Sequence, residues 1–90
     1  MIKVEFTPAL KRFFPDIQPQ EVEASTVEEA MQRLEENYPG INTYLRDESG
    51  RLRKHINIFV DQELVRDRQF LADTLEGKRG ILIFQALSGG

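Results

Sequence analysis

The chain has no cysteine, no tryptophan and a single histidine. Without cysteine there is no disulfide, no thiolate nucleophile and no sulfur ligand for a metal, a pattern that fits a reducing compartment and leads to the expectation of a cytoplasmic protein. With His55 alone, neither a histidine pair nor a histidine cluster can form, so no metal site is expected. Long apolar runs are missing too. Nothing approaches the roughly 18 consecutive apolar residues of a membrane span, and no membrane partner is expected. The opening Met1-Ile2-Lys3-Val4-Glu5-Phe6 alternates, unlike the continuous apolar core of a secretory signal. Positive charge is in deficit, with 12 Lys and Arg against 15 Asp and Glu. A phosphate-backbone binder carries a basic surface, so no nucleic-acid partner is expected. The run G-x-x-x-x-G-K-[ST] does not occur, and Gly77-Lys78-Arg79-Gly80 reads as turn chemistry, not a phosphate loop. Glu35-Glu36 and Asp47-Glu48 are adjacent carboxylates in polar stretches, without the pocket that acid/base pairs need.

What is present is the pattern of one small α+β unit, residues 1–90. Ile2, Val4 and Phe6 alternate with Lys3, Glu5 and Thr7, the period of a half-buried strand, and Pro8 ends it. A polar connection with Phe13, Phe14, Pro15 and Pro19 leads to a short second strand around Glu21 to Ala24, giving a hairpin with an irregular loop. From Thr26 to Tyr38 the apolar positions Val27, Ala30, Met31, Leu34 and Tyr38 recur at helical spacing. Thr26 and Glu29 form a capping box, and Pro39-Gly40 stops the helix. A short helical turn and a polar loop about Asp47-Glu48-Ser49-Gly50 follow. Then come a strand from His55 to Val60, the tight connection Asp61-Gln62, a return at Glu63 to Val65, and a last strand from Ile81 to Leu87.

One crossover helix cannot build a repeating parallel layout, so one helix must cover one sheet. The last strand then pairs parallel to the first at the centre, in a β-grasp arrangement with Ala30, Met31 and Leu34 against Ile2, Val4, Ile58, Ile81 and Ile83. That helix dries only one face, yet the last strand is apolar on both: Ile81 and Ile83 point one way, and Leu82, Phe84 and Ala86 the other. His55 to Val60 shows the same duality, which puts Phe59 beside Phe84. An apolar patch on an exposed sheet face marks an interaction site. The alternative is that the middle segment, through Tyr44, Leu45 or Leu52, folds over it.

The last strand runs into Leu87-Ser88-Gly89-Gly90. Glycine has no Cβ, so a Gly-Gly tail can thread a channel too narrow for side chains and present a carboxylate to another protein's active site. Chance composition or a linker remnant would give the same two residues, though neither explains the apolar strand leading into them. With its order of Ile2 to Phe6, Thr26-Val27 opening the helix, Val60-Asp61-Gln62-Glu63-Leu64-Val65, and Ile81 to Gly90, the sequence resembles the ThiS/MoaD family of ubiquitin-like sulfur carriers. The middle segment, Glu36 to Ile41 and Gly50 to Arg53, followed by Asn57-Ile58-Phe59-Val60, is most similar to the CysO-type carriers of cysteine synthesis. Asp61-Gln62 and Glu76-Gly77-Lys78 depart from the turns usual in those relatives.

The resemblance implies a β-grasp carrier that is not itself an enzyme and binds no cofactor. An adenylating enzyme with ATP would activate the Gly90 carboxylate, and a sulfur donor would convert it to a thiocarboxylate serving cysteine, molybdopterin or thiamin-type biosynthesis. Ser88 and Gly89 would form the mobile tail, about 87–90, and Phe59, Leu64, Leu82 and Phe84 the docking face. A pyridoxal-phosphate-dependent cysteine synthase and a metal-dependent peptidase would be further partners. The alternative is a ubiquitin-like modifier joined to lysines through the same glycine.

Overall fold

In the computed structural model, residues 1–86 are described, and the elements run β1 (Ile2–Phe6), β2 (Gln20–Val22), α1 (Val27–Asn37), α2 (Ile41–Leu45), β3 (Ile56–Val60), β4 (Glu63–Leu64) and β5 (Gly80–Gln85). The five strands form one mixed sheet in the order β2-β1-β5-β3-β4. β5 lies at its centre, parallel to β1 and antiparallel to β3, as the sequence pattern predicts. This is the ubiquitin-like β-grasp arrangement. Gly80 is needed where β5 begins, because a Cβ there would lie 2.7 Å from the Lys3 carbonyl oxygen across the parallel pair.

The helix forms where its start signals lie. Thr26 is the N-cap, its hydroxyl accepting the Glu29 N–H at 3.1 Å, and the Glu29 carboxylate reaches back to the Ser25 N–H at 2.6 Å. The remaining first-turn donors are taken by a distant segment: Val27 N–H donates to Asp73 O and Glu28 N–H to Leu71 O. That face of α1 buries Val27, Ala30, Met31 and Leu34 in one cluster with Ile2, Val4, Ile58, Ile81 and Ile83.

Two local readings need correction. The second strand ends at Val22 instead of extending to Ala24, since Val22 is paired to Ile2 and the residues after it turn into the helix cap. The first connection is more ordered than its polar composition suggests: Pro8–Arg12 form a 3-10 turn that buries Ala9 and Leu10, and Ile17 is buried farther on. The expected continuation of the last strand to Leu87, and the expected mobility of 87–90, lie outside the described residues.

Three carboxylates bind loop backbone and are held below their ordinary pKa values. Gly40 and Asn42 N–H groups act on Glu35, the Ser49 hydroxyl foremost on Asp47, and the Phe70 N–H foremost on Asp67. All three keep their charge in the folded state at pH values where the unfolded chain already takes up protons. Their stabilisation is therefore complete above the unfolded values, 4.5 for Glu35 and 3.8 for the aspartates, and is lost as pH falls through the lower folded ones. Urea titrations between neutral pH and about pH 3 should show this decline, and Asp67→Asn should flatten it. Leu34→Ala should cost about 2 to 5 kcal/mol in the same titration at neutral pH, with a loss below about half a kcal/mol removing Leu34 from the core.

Candidate functional site

The sheet face away from α1 is built by alternation. In β3 and β5 the residues between the core positions point outward, and pairing sets Phe59 opposite both Leu82 and Leu64, and Asn57 opposite Phe84. The Phe59 and Phe84 rings meet edge to face, with centroids 6.3 Å apart and planes at 85°. Leu64 is 55% exposed and Phe84 38%. The geometry thus gathers Phe59, Leu64, Leu82 and Phe84 into a single apolar surface. On the β1 side it ends at exposed Lys3 and Glu5, with Glu5 paired to Leu82. On the β3 side Arg68 closes it, donating to Asn57 Oδ1 at 2.5 Å and to the Arg53 carbonyl at 2.8 Å.

The middle segment does not cover this surface. Leu45 and Leu52 are buried in the core cluster on the helix side, and Tyr44 packs there with Phe13 and Phe14, with ring centroids 4.7 Å and 6.0 Å away. At one end of the patch the tight β3–β4 connection holds Asp61 at a φ of 55°, and the Asp61 carboxylate accepts the Arg79 and Gly80 N–H groups at 3.1 Å each. Asp61 suits this turn, because an aspartate can adopt the left-handed region and also bind the start of the neighbouring strand.

The other end of β5 is fastened by contacts that the sequence pattern does not reveal. The Gln85 N–H donates to Thr7 Oγ1 at 3.1 Å, the Tyr44 hydroxyl donates to Gln85 Oε1 at 2.8 Å, and the Ala86 N–H donates to the His55 carbonyl at 3.0 Å. The partners lie 78 and 41 residues from Gln85 in the first two cases, too far apart for any local motif to signal them. His55 contributes here through its backbone. Gly90, Gly89 and Ser88, the expected reacting end, lie outside the described residues. Among the described residues no group of three or more His, Cys, Asp or Glu side chains is placed to hold a metal, and no helix is long and apolar enough to cross a membrane.

Residues 9–90 match the ThiS family. The chain belongs to the ThiS family. Solved structures with the same fold include a chain of the BexX/CysO complex of Amycolatopsis orientalis, 26% identical over 100% of both chains with a TM-score of 0.81. CysO of Mycobacterium tuberculosis is 27% identical, with 97% of this chain and 100% of that one covered and a TM-score of 0.80. SAMP1 of Haloferax volcanii has a TM-score of 0.74 over 99% and 98% of the two chains, and at 20% identity it attests the fold alone. A comparison with curated protein sequences finds no match. As a member of the ThiS family, the protein is a ubiquitin-like carrier of the ThiS/MoaD kind. The carrier in the Amycolatopsis structure is seen together with a second protein.

Because Phe84 belongs to the open surface and not to the core, Phe84→Ala should reduce folding stability by less than Leu34→Ala does. Paired urea titrations check this, and an equal loss for the two variants would make Phe84 a structural residue.

Proposed function

We propose that this ThiS-family chain carries sulfur on Gly90 and that an adenylating enzyme docks on Phe59, Leu64, Leu82 and Phe84. The observation that carries the reading is the uncovered apolar face on β5, the same strand that leads into Ser88-Gly89-Gly90. Four closely set apolar side chains can be desolvated together by a partner, which is how a few residues supply most of a binding energy. The central position of β5 supports the reading further, since a strand paired on both sides is a stiff base for a short tail.

The chemistry then divides between the chain and its partner. A free carboxylate is a poor electrophile, because its leaving group would be oxide. Attack by the Gly90 carboxylate on the α-phosphate of ATP releases pyrophosphate and gives an acyl-adenylate. A hydrosulfide-level donor adds to that carbonyl, AMP departs, and a thiocarboxylate remains with loss of one proton. This chain supplies the carbonyl and the docking surface; the partner supplies nucleotide binding and catalysis, and the chain acts as a substrate rather than an enzyme. The resemblance to the CysO-type carriers supports delivery to cysteine synthesis, with a pyridoxal-phosphate-dependent synthase and a metal-dependent peptidase as further partners in the cytoplasm. Conjugation to lysines is the second outcome open to the same acyl-adenylate.

Intact mass spectrometry of the protein from its native host separates these outcomes: a terminal thiocarboxylate supports the carrier, and a lysine conjugate supports the modifier. In reconstitution with an adenylating enzyme of the same genome, ATP and sulfide, removal of Gly89 and Gly90 should abolish sulfuration without changing Tm. Gly89→Val should slow it, because a β-branched side chain widens and stiffens the tail. Phe84→Ala should weaken docking by about 2 kcal/mol or more in calorimetry. Sulfuration of the truncated chain would overturn the reading.

A further inference from the structure

From the charge arrangement at the root of the tail, we infer that Lys11, Arg12 and Lys54 form a cationic collar that docks the carboxylate-lined mouth of the channel accepting Gly90. The inference rests on the carrier reading and adds a second surface, distinct from the apolar sheet face. The end of β5, Gln85-Ala86, is bonded to two arcs of chain. One arc runs from Thr7 to Phe13 and meets Gln85 directly at Thr7 and only through Tyr44 at Phe13. Thr7 Oγ1 accepts the Gln85 N–H directly, while Phe13 packs 4.7 Å from Tyr44, whose hydroxyl bonds the Gln85 side chain. Lys11 and Arg12 lie within that arc and are exposed. The second arc is Lys54-His55, joined to the root by the Ala86 N–H bond to the His55 carbonyl, and Lys54 is exposed.

These cations are in excess over the carboxylates near them. Among the described residues the ion pairs are Arg33 with Glu36 and Arg46 with Glu28, so Lys11, Arg12 and Lys54 take part in none. The carboxylates that end α1 are engaged elsewhere: Glu35 accepts the Gly40 and Asn42 N–H groups at 2.6 and 3.0 Å, and Glu36 pairs with Arg33. Asp16, farther along the first connection, is exposed and offsets one of the three charges. A chain of net charge −3 therefore presents positive charge around the base of its tail.

Geometry makes any partner that uses the tail meet this collar. At about 3.3 to 3.6 Å per residue, four residues span at most roughly 14 Å past Ala86. A site that takes the Gly90 carbonyl must bring its mouth within that reach, and its rim then lies against both arcs. Carboxylates on the rim gain favourable charge contacts that hasten encounter and orient the carrier tail first, whereas a basic rim is repelled. The sheet face, bounded by Lys3 and Glu5 of opposite sign, supplies apolar affinity and little of this steering.

The test is ATP–pyrophosphate exchange with the full chain and the adenylating enzyme of the same genome, comparing wild type with the triple variant Lys11→Glu, Arg12→Glu, Lys54→Glu. At low salt the KM of the variant should rise on the order of tenfold, with the gap closing as salt screens the charges. Its kcat should stay within about twofold of wild type and its Tm should not change, since the three side chains are exposed. Lys11→Arg with Lys54→Arg should keep the wild-type KM, which separates charge from a contact specific to lysine. If the triple variant matches wild type in KM and in salt dependence while wild type is adenylated, the collar is overturned and the carrier reading stands. If wild type supports no exchange, the carrier reading is overturned and the collar with it.

Discussion

A single helix can dry only one face of a sheet, and the rest of this structure follows from that constraint. β5 is central, hydrogen-bonded to β1 on one side and β3 on the other, so its backbone is satisfied without help from side chains. Its side chains are apolar in both directions. α1 covers Ile81 and Ile83, and α2 with the segment through Leu52 adds Ile41, Leu45 and Leu52 to the same side. No apolar element is left among the described residues to cover Phe59 and Phe84. The open face arises from this distribution, and a partner that covers it completes a burial the chain began.

The segment after β4 shows how irregular chain can be held as firmly as a regular element. Asp73 accepts the Arg66 and Asp67 N–H groups, and Asp67 accepts those of Gln69, Phe70 and Ala72. This arrangement carries Leu71 at a φ of 54°, a conformation that strains a leucine by about 1 to 2 kcal/mol. Complete burial of the Leu71 side chain opposes that strain, and its carbonyl caps α1. Two aspartates thus link the loop, the helix start and the core, and the acid sensitivity that Asp67 brings belongs to this scaffold.

A carrier of this kind needs no pocket of its own. On the proposed reading its work is to present its C-terminal glycine, and surfaces by which partners find it. Thr7, Tyr44 and His55 hold the strand that leads into the tail, while the apolar face and the charges around the root differ in character and location. Two such surfaces allow affinity and orientation to be set separately, the first by desolvated area and the second by long-range charge.

Period and punctuation in the sequence were sufficient for the element order, the helix with its Thr26 and Glu29 cap, the parallel pairing of β1 with β5, and the grouping of Phe59 with Phe84. Those features depend on interactions between near neighbours or on the drying of one face, and alternation encodes both. Leu10 and Ile17 were hidden because isolated apolar residues in a polar connection carry no period. The absence of a cover over the open face required the fold, since Tyr44, Leu45 and Leu52 could have lain on either side of the sheet. So did the Thr7, Tyr44 and His55 contacts at the root of the tail. Local composition determined which segments would be strands and helix and which faces would be apolar; only the tertiary structure decided which face stayed open and which groups met at the end of β5, because residues far apart in the chain become neighbours through packing alone.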